Sequence, residues 1–200
     1  MRIDPSYGPF AAARDHSEEA QAALAETLKG AEDRIYVVEP EPWPEPPGTR
    51  VVGRRDLVQM IADGALPPPP EDSRIVLLDE QDAGQMAALA YATEPGPWSS
   101  GTHRYGEYYG IRVDGRLAAM AGERMLIPGF AELSGVATWP EFRGQGFAAT
   151  LIKRVFAGFA ARGDTPFLHS FAENAGAIRL YEQLGFRQRA QLVLTVLALA

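Results

Sequence analysis

The chain of 200 residues contains no cysteine. That single absence excludes a disulfide framework, a thiolate zinc site and a cysteine nucleophile. Histidine is scarce: His16, His103 and His169 stand far apart and offer no metal-ligand spacing, so no metal is expected. Basic residues are in the minority, with 19 Lys+Arg against 26 Asp+Glu, for a net charge of −7 and a pI of about 5.0. No Lys/Arg cluster builds the basic face of a nucleic-acid binder, so no nucleic acid is expected as a partner. Long apolar runs are missing too. The C-terminal AQLVLTVLALA reaches only 11 residues, short of the 18 or so that a membrane span needs, and suits a buried strand. The opening MRIDPSYGPF lacks a basic stretch followed by an apolar run, so no secretory signal is visible. These absences lead to the expectation of a soluble, cytoplasmic protein without a membrane partner. The acidic balance favours solubility, with at most a weak steering of cationic partners such as amines.

What is present is a hydrophobic content of 46%, enough for one sizeable core or one domain plus part of a second. Residues 1–73 read as an incomplete α/β unit. Ser17 is a plausible N-cap for a helix running to Lys29 and stopping at Gly30, and Arg34 to Val38 reads as a strand. Two proline-dense stretches, EPEPWPEPPG (Glu39 to Gly48) and LPPPPED (Leu66 to Asp72), are loops or linkers. Between them, Arg50 to Ile61 reads as a strand passing into a helical turn.

Residues 74–200 are more regular. RIVLL from Arg74 is a strand, and Asp79 is placed to cap a helix through Ala90. Asp114-Gly115 is a strong two-residue hairpin signal between the strands Tyr108 to Val113 and Leu117 to Met125. Another strand is expected from Ala131 to Thr138. A helix from Phe147 to Arg162 carries Leu151, Ile152, Val155, Phe156 and Phe159 at helical spacing. A strand at Pro166 to Phe171, a helix from Asn174 to Leu184 halted by Gly185, and strand character from Phe186 to Leu199 complete the order. The pattern β-α-ββ-β-α-β-α-β predicts a mixed sheet flanked by helices. The last strand either completes its own sheet or contributes to a homodimer.

The informative stretch is Glu132-LSGVATWPEFRGQGFAATL. A strand enters a turn rich in glycine and arginine, and a long helix begins at once. Backbone amides from Arg143 to Ala148 can converge, because Gly144 and Gly146 tolerate unusual φ values, and the helix N-terminus adds its positive end. This is an anion site suited to a pyrophosphate. It is neither a P-loop nor a dinucleotide fingerprint.

Arg143-Gly144-Gln145-Gly146-Phe147-Ala148 resembles the signature of the GCN5-related N-acetyltransferase (GNAT) superfamily, an Arg or Gln, two residues, Gly, one residue, then Gly or Ala. A second block, ENAGAIRLYEQLGF from Glu173 to Phe186, is similar to the family independently. The stretch from Tyr108 to Leu199 looks most like the FR47-like subgroup. The resemblance implies a GNAT-like α/β fold with a mixed, mostly antiparallel sheet, and acetyl-coenzyme A as co-substrate. It further implies that amides of Arg143, Gly144, Gln145, Gly146, Phe147 and Ala148 bind the pyrophosphate. Main-chain groups of Val136, Ala137 and Thr138 would pair with the pantetheine arm, Asn174 would contact it, and Tyr181 would protonate the departing thiolate.

The function expected is acetyl transfer to a primary amine, on a small molecule or a peptide, by direct attack. Without cysteine, the best candidate for a covalent intermediate is gone. The alternatives are another acyl donor, or a non-catalytic coenzyme A-binding sensor or interaction domain. Glu132 is the candidate general base, with a pKa raised by desolvation; read structurally, it is a solvated strand-end residue. Tyr181 read structurally is a half-buried core tyrosine. Glu123 is a weaker base or substrate-binding candidate. His169 alternates on a strand beside the groove, where a hydrogen-bonded structural role is the commoner outcome. His103, Trp98 and the tyrosines 105, 108 and 109 are further candidates for the acceptor pocket.

Overall fold

The computed structural model describes residues 1–68 and 70–200; Pro69, within the second proline stretch, lies outside the described residues. A single mixed sheet organises the chain. Its strands are β1 (Ile35–Glu39), β2 (Thr49–Ile61), β3 (Ile75–Leu78), β4 (Tyr108–Val113), β5 (Arg116–Ile127), β6 (Phe130–Thr138), β7 (Thr165–Phe171) and β8 (Arg187–Leu199). They lie in the order β1-β8-β2-β7-β6-β5-β4-β3. Every pairing is antiparallel except β6 with β7. The helices are α1 (Glu18–Ala25), α2 (Ala83–Thr93), α3 (Phe147–Arg162) and α4 (Ala175–Gln183).

Two of the eight strands come from residues 1–73, and they are not peripheral. β2 stands between β7 and β8, while β1 flanks β8 on its other side. The C-terminal strand therefore completes its own sheet, paired with β2 along its length and with β1 over Val193 to Leu197. The reading of Arg50 to Ile61 as a strand turning helical is corrected: it is strand throughout. Flanked by partners on both sides, its backbone finds its hydrogen bonds in the ladder, and tertiary pairing overrides local propensity. Helix α1 ends at Ala25, earlier than expected, and Thr27 Oγ1 donates to the Leu24 carbonyl at 2.7 Å. Asp79 caps a short 3-10 turn at 80–82, and α2 begins after it.

One face of the sheet packs on α3 and α4, where Leu151, Ile152, Val155, Phe156 and Phe159 meet Met60, Leu133 and Leu168. Stacking these residues at helical spacing against alternating strand residues makes the main core. Toward the β1 edge of that same face, Leu24 of α1 and Trp43 are buried against Ile35, Val37 and Leu197, which the register aligns with Val58 and Met60. On the other face α2 buries Met86 and Leu89 against Tyr108, Met120 and Ala137. Beside α2 a stretch of that face remains open.

Candidate active site

Strand β6 holds the key to the site. It pairs with β7 only over Phe130 to Glu132, against Thr165 to Phe167. From Leu133 onward the two strands part. Gly135, with φ +60, accompanies a register shift between β5 and β6: Met120 faces Ala137 while Gly122 faces Ser134. This extra residue is a β-bulge that bends the strand and changes the phase of its side chains. Leu133 and Val136, three apart, thus point to the same α3-side core, and Ala137 faces the α2 side. A Cβ on Gly135 would lie 2.7 Å from the Tyr108 ring, so both its φ and its space require glycine.

A cavity of about 770 Å³ fills the gap. Its wall includes Val136, Ala137 and Thr138 from β6, Arg143 and Ala148 at the start of α3, and Asn174, Leu180 and Tyr181 around α4. At its mouth the chain passes through Gly144 (φ +77) and Gly146 (φ +79) into α3, with Gly146 as N-cap. The first amides of a helix lack intrahelical acceptors, which leaves the 144–148 run facing outward with the positive end of the dipole. The amide of Arg143 is not part of that set, since it donates to the Pro140 carbonyl at 3.2 Å. The Arg143 guanidinium folds back, its Nε donating to the Thr138 carbonyl at 3.3 Å. Gln145 is exposed. The Phe147 side chain is buried in the main core, which anchors the turn and leaves only its amide for a ligand.

Asn174 is the N-cap of α4: its Oδ1 accepts from the Ala177 amide at 3.1 Å. Its side-chain amide group is thereby turned for other use. Tyr181 lines the cavity, edge-on to Phe186 at 5.9 Å. Burial pushes its phenol up to about 12, so at neutral pH it keeps a proton to donate.

Glu132 is fully buried, as the base reading expects and unlike a solvated strand-end residue. Arg124 grips it with two hydrogen bonds, Nε at 2.9 Å and Nη2 at 2.5 Å, and His169 Nδ1 lies 2.8 Å from Oε1. Burial pushes the carboxyl up, but the charge and hydrogen bonds of Arg124, aided by His169, outweigh it and hold the group down at about 2. The expected rise in its pKa is therefore corrected to a fall. A carboxylate so strongly held is a fixed anion and a poor proton acceptor.

His169 is the residue whose importance the sequence understates. Strand alternation puts His169 and Phe171 on the open face, and His169 lines the cavity. Its Nε2 lies 3.0 Å from Gln59 Nε2. Gln59 Oε1 accepts from Arg189 Nη1 at 2.5 Å, so the amide nitrogen of Gln59 must face the ring and donate to it. Nδ1 then carries the proton and gives it to Glu132. The result is a polar rung, Arg189–Gln59–His169–Glu132–Arg124, crossing five adjacent strands in sheet order. Gln59, Arg124 and Arg189 carry no local sequence signal; only the strand order brings them together.

The weaker candidates fall elsewhere. Glu123 is buried on the α3 side, bound by Arg162 Nη2 at 3.0 Å, and does not line the cavity. His103 Nε2 meets Glu80 Oε2 at 3.0 Å on the surface turn. Trp98 packs edge-on to Tyr108 at 5.6 Å, Tyr105 pairs with Tyr7, and Tyr109 donates to Glu107 at 2.5 Å. None of these aromatics lines the cavity beside β6, although Trp98 lines a second one of about 440 Å³ with Tyr36 and Tyr91. Among the described residues, no group of three or more His, Cys, Asp or Glu is placed to hold a metal ion.

Known proteins share this fold. The family model of FR47-like proteins matches residues 108–194. A crystal structure from Novosphingobium aromaticivorans DSM 12444, of a protein assigned to the GNAT family of acetyltransferases, is 59% identical. It covers 100% of this chain and 87% of its own, with a TM-score of 0.93. The chain belongs to the GNAT family. The [ribosomal protein bS18]-alanine N-acetyltransferase of Salmonella typhimurium is 35% identical over 98 residues, 46% of this chain and 66% of that enzyme. A GCN5-related N-acetyltransferase from Kribbella flavida, 21% identical, shares the fold over 89% of this chain and 74% of its own, with a TM-score of 0.60. The GNAT fold therefore extends well beyond the segment carrying the two sequence blocks.

Proposed function

We propose that this GNAT acetyltransferase moves the acetyl group of acetyl-coenzyme A directly onto a primary amine, at the point where β6 and β7 part. The observation that carries this reading is the unpaired edge of β6 beside the cavity, with a helix N-terminus at its mouth. Such an edge offers main-chain donors and acceptors to an extended amide-bearing arm, as though to a further strand. Acetyl-coenzyme A supplies the activated thioester.

The chain's own residues then have these roles. Amides of Gly144 to Ala148 hold the pyrophosphate. Main-chain groups of Val136, Ala137 and Thr138, with the side-chain amide of Asn174, align the pantetheine. A backbone amide at Val136 faces the carbonyl oxygen where negative charge develops. Tyr181 donates to the departing sulfur, and its raised pKa keeps that donor in place across neutral pH. The acceptor is an amine of a small molecule or of a peptide. The Salmonella relative takes an alanine amine of a ribosomal protein, and that makes peptide α-amines a class to include.

Calorimetric titration of the protein with acetyl-coenzyme A tests the cofactor site. Micromolar binding is expected, lost in Gly146→Glu and weakened in Gln145→Glu, which adds charge at an exposed position without backbone strain. Equal binding by all three proteins would refute the placement of the pyrophosphate.

A further inference from the structure

The cavity continues past the splayed strands. Its far wall comes from the first sixty residues: Phe10, Tyr36, Val38 and Leu57, joined by Leu194 of β8. The Phe10 ring lies 4.8 Å from the Arg124 guanidinium carbon, which sets this apolar wall against the polar rung. Charged and titratable groups are few here. Arg124 (β5) is neutralised by Glu132 (β6), and both nitrogens of His169 (β7) are taken. Arg143 stands at the α3 mouth, and Met1, whose ammonium donates to the Ala12 carbonyl at 2.7 Å, is also in the lining. Tyr36 (β1) and Tyr181 (α4) are phenols. Among the described lining residues the one carboxylate is Glu94, exposed at the end of α2.

A polycation entering this space would shed its hydration and find a single rim carboxylate for all its charges. An ammonium group would be desolvated there, with no free proton acceptor in the wall. Desolvation favours the neutral amine instead. An apolar body, by contrast, gains by covering Phe10, Val38 and Leu57.

We propose that the acceptor is a monoamine with an apolar body, seated against Phe10, Tyr36, Val38, Leu57 and Leu194 and bound as the uncharged free base. This rests on the acetyl-transfer reading. The step then balances without a catalytic base. The nitrogen lone pair attacks the thioester carbonyl carbon, the N–C bond forms and the C–S bond breaks. Tyr181 gives its proton to the departing sulfur, and the proton that nitrogen sheds passes through solvent to restore the phenol, so none is gained or lost.

The test uses the full chain with acetyl-coenzyme A and follows released thiol, to which the cysteine-free protein contributes nothing. Hexylamine and 2-phenylethylamine are compared with spermidine and kanamycin. Expected are kcat/KM values for the two apolar monoamines at least about tenfold above the polycations. The rising limb of the pH profile should move to lower pH with a β-fluorinated phenylethylamine, following the pKa of the amine. Val38→Thr, which keeps the shape, and Leu57→Asn should each lower kcat/KM for hexylamine about tenfold while leaving the Kd for acetyl-coenzyme A unchanged. A preference for the polycations, or a limb that ignores the amine's pKa, overturns the proposal while transfer itself stands. Binding of acetyl-coenzyme A with no amine-dependent thiol release refutes the transfer reading and this proposal with it.

Discussion

Glu132 shows how a residue can be found in the sequence and misjudged in its chemistry. Its place on the strand before the glycine turn was legible, because the strand-turn-helix signature fixes the spacing. Its ionisation was not, because Arg124 and His169 reach it only across the sheet, 8 and 37 residues away in sequence. Replacing it should be costly for stability: Glu132→Gln leaves Arg124 buried without a counter-charge and should destabilise by about 3–5 kcal/mol, measured by denaturant unfolding. The pH–rate profile of the surviving fold should keep its shape, since no proton is taken by this carboxylate. A lost titration step in that profile would restore it as the base. Tyr181→Phe should lower kcat by about 10²-fold or more with little change in acetyl-coenzyme A binding. An unchanged kcat would reduce Tyr181 to packing against Phe186.

At the scale of elements, the hairpin at Asp114-Gly115, the α3 and α4 helices and the Gly185 stop were all readable, each from a local rule of turn or cap chemistry. The bulge in β6 was not. Gly135 sits in an ordinary strand pattern, and only its φ of +60 beside the Tyr108 ring shows that the strand changes phase there. The bulge lies just past Glu132, the last β6 residue paired with β7, where the cavity opens. Gly135→Ala should therefore destabilise the fold by about 1–3 kcal/mol and raise the KM for acetyl-coenzyme A, seen by thermal unfolding and steady-state kinetics. Wild-type stability in this variant would mean that the bulge tolerates a side chain. The strand nature of Thr49–Ile61 was half legible for a related reason: its two partners, β7 and β8, lie more than a hundred residues onward.

The whole molecule joins residues 1–73 to the rest through β1 and β2. The sequence placed the family blocks in the C-terminal portion, but the apolar cavity wall and Gln59 of the rung come from the N-terminal one. A fragment of residues 74–200 would expose both edges of β8 and one edge of β7. It should fail to give a cooperative unfolding transition, and a fully folded fragment would contradict that dependence. Each part also holds an ion pair of its own. Arg2 holds Asp33 at 2.6 Å and lowers it to about 2, as Arg124 does Glu132. Both carboxyls titrate lower folded than unfolded, so their contribution is full above about pH 4.5 and is lost as pH falls toward 2. Acid titration of stability should show that loss.

Transfer of the acetyl group to nitrogen is the central step. Incubation of the protein with acetyl-coenzyme A carrying an isotope-labelled acetyl group and hexylamine, followed by mass spectrometry of the small molecules, measures that step directly. Labelled N-hexylacetamide, formed over many turnovers and in equal amount to free coenzyme A, is the predicted result. Free coenzyme A without labelled amide would show thioester hydrolysis in place of transfer and would contradict the account.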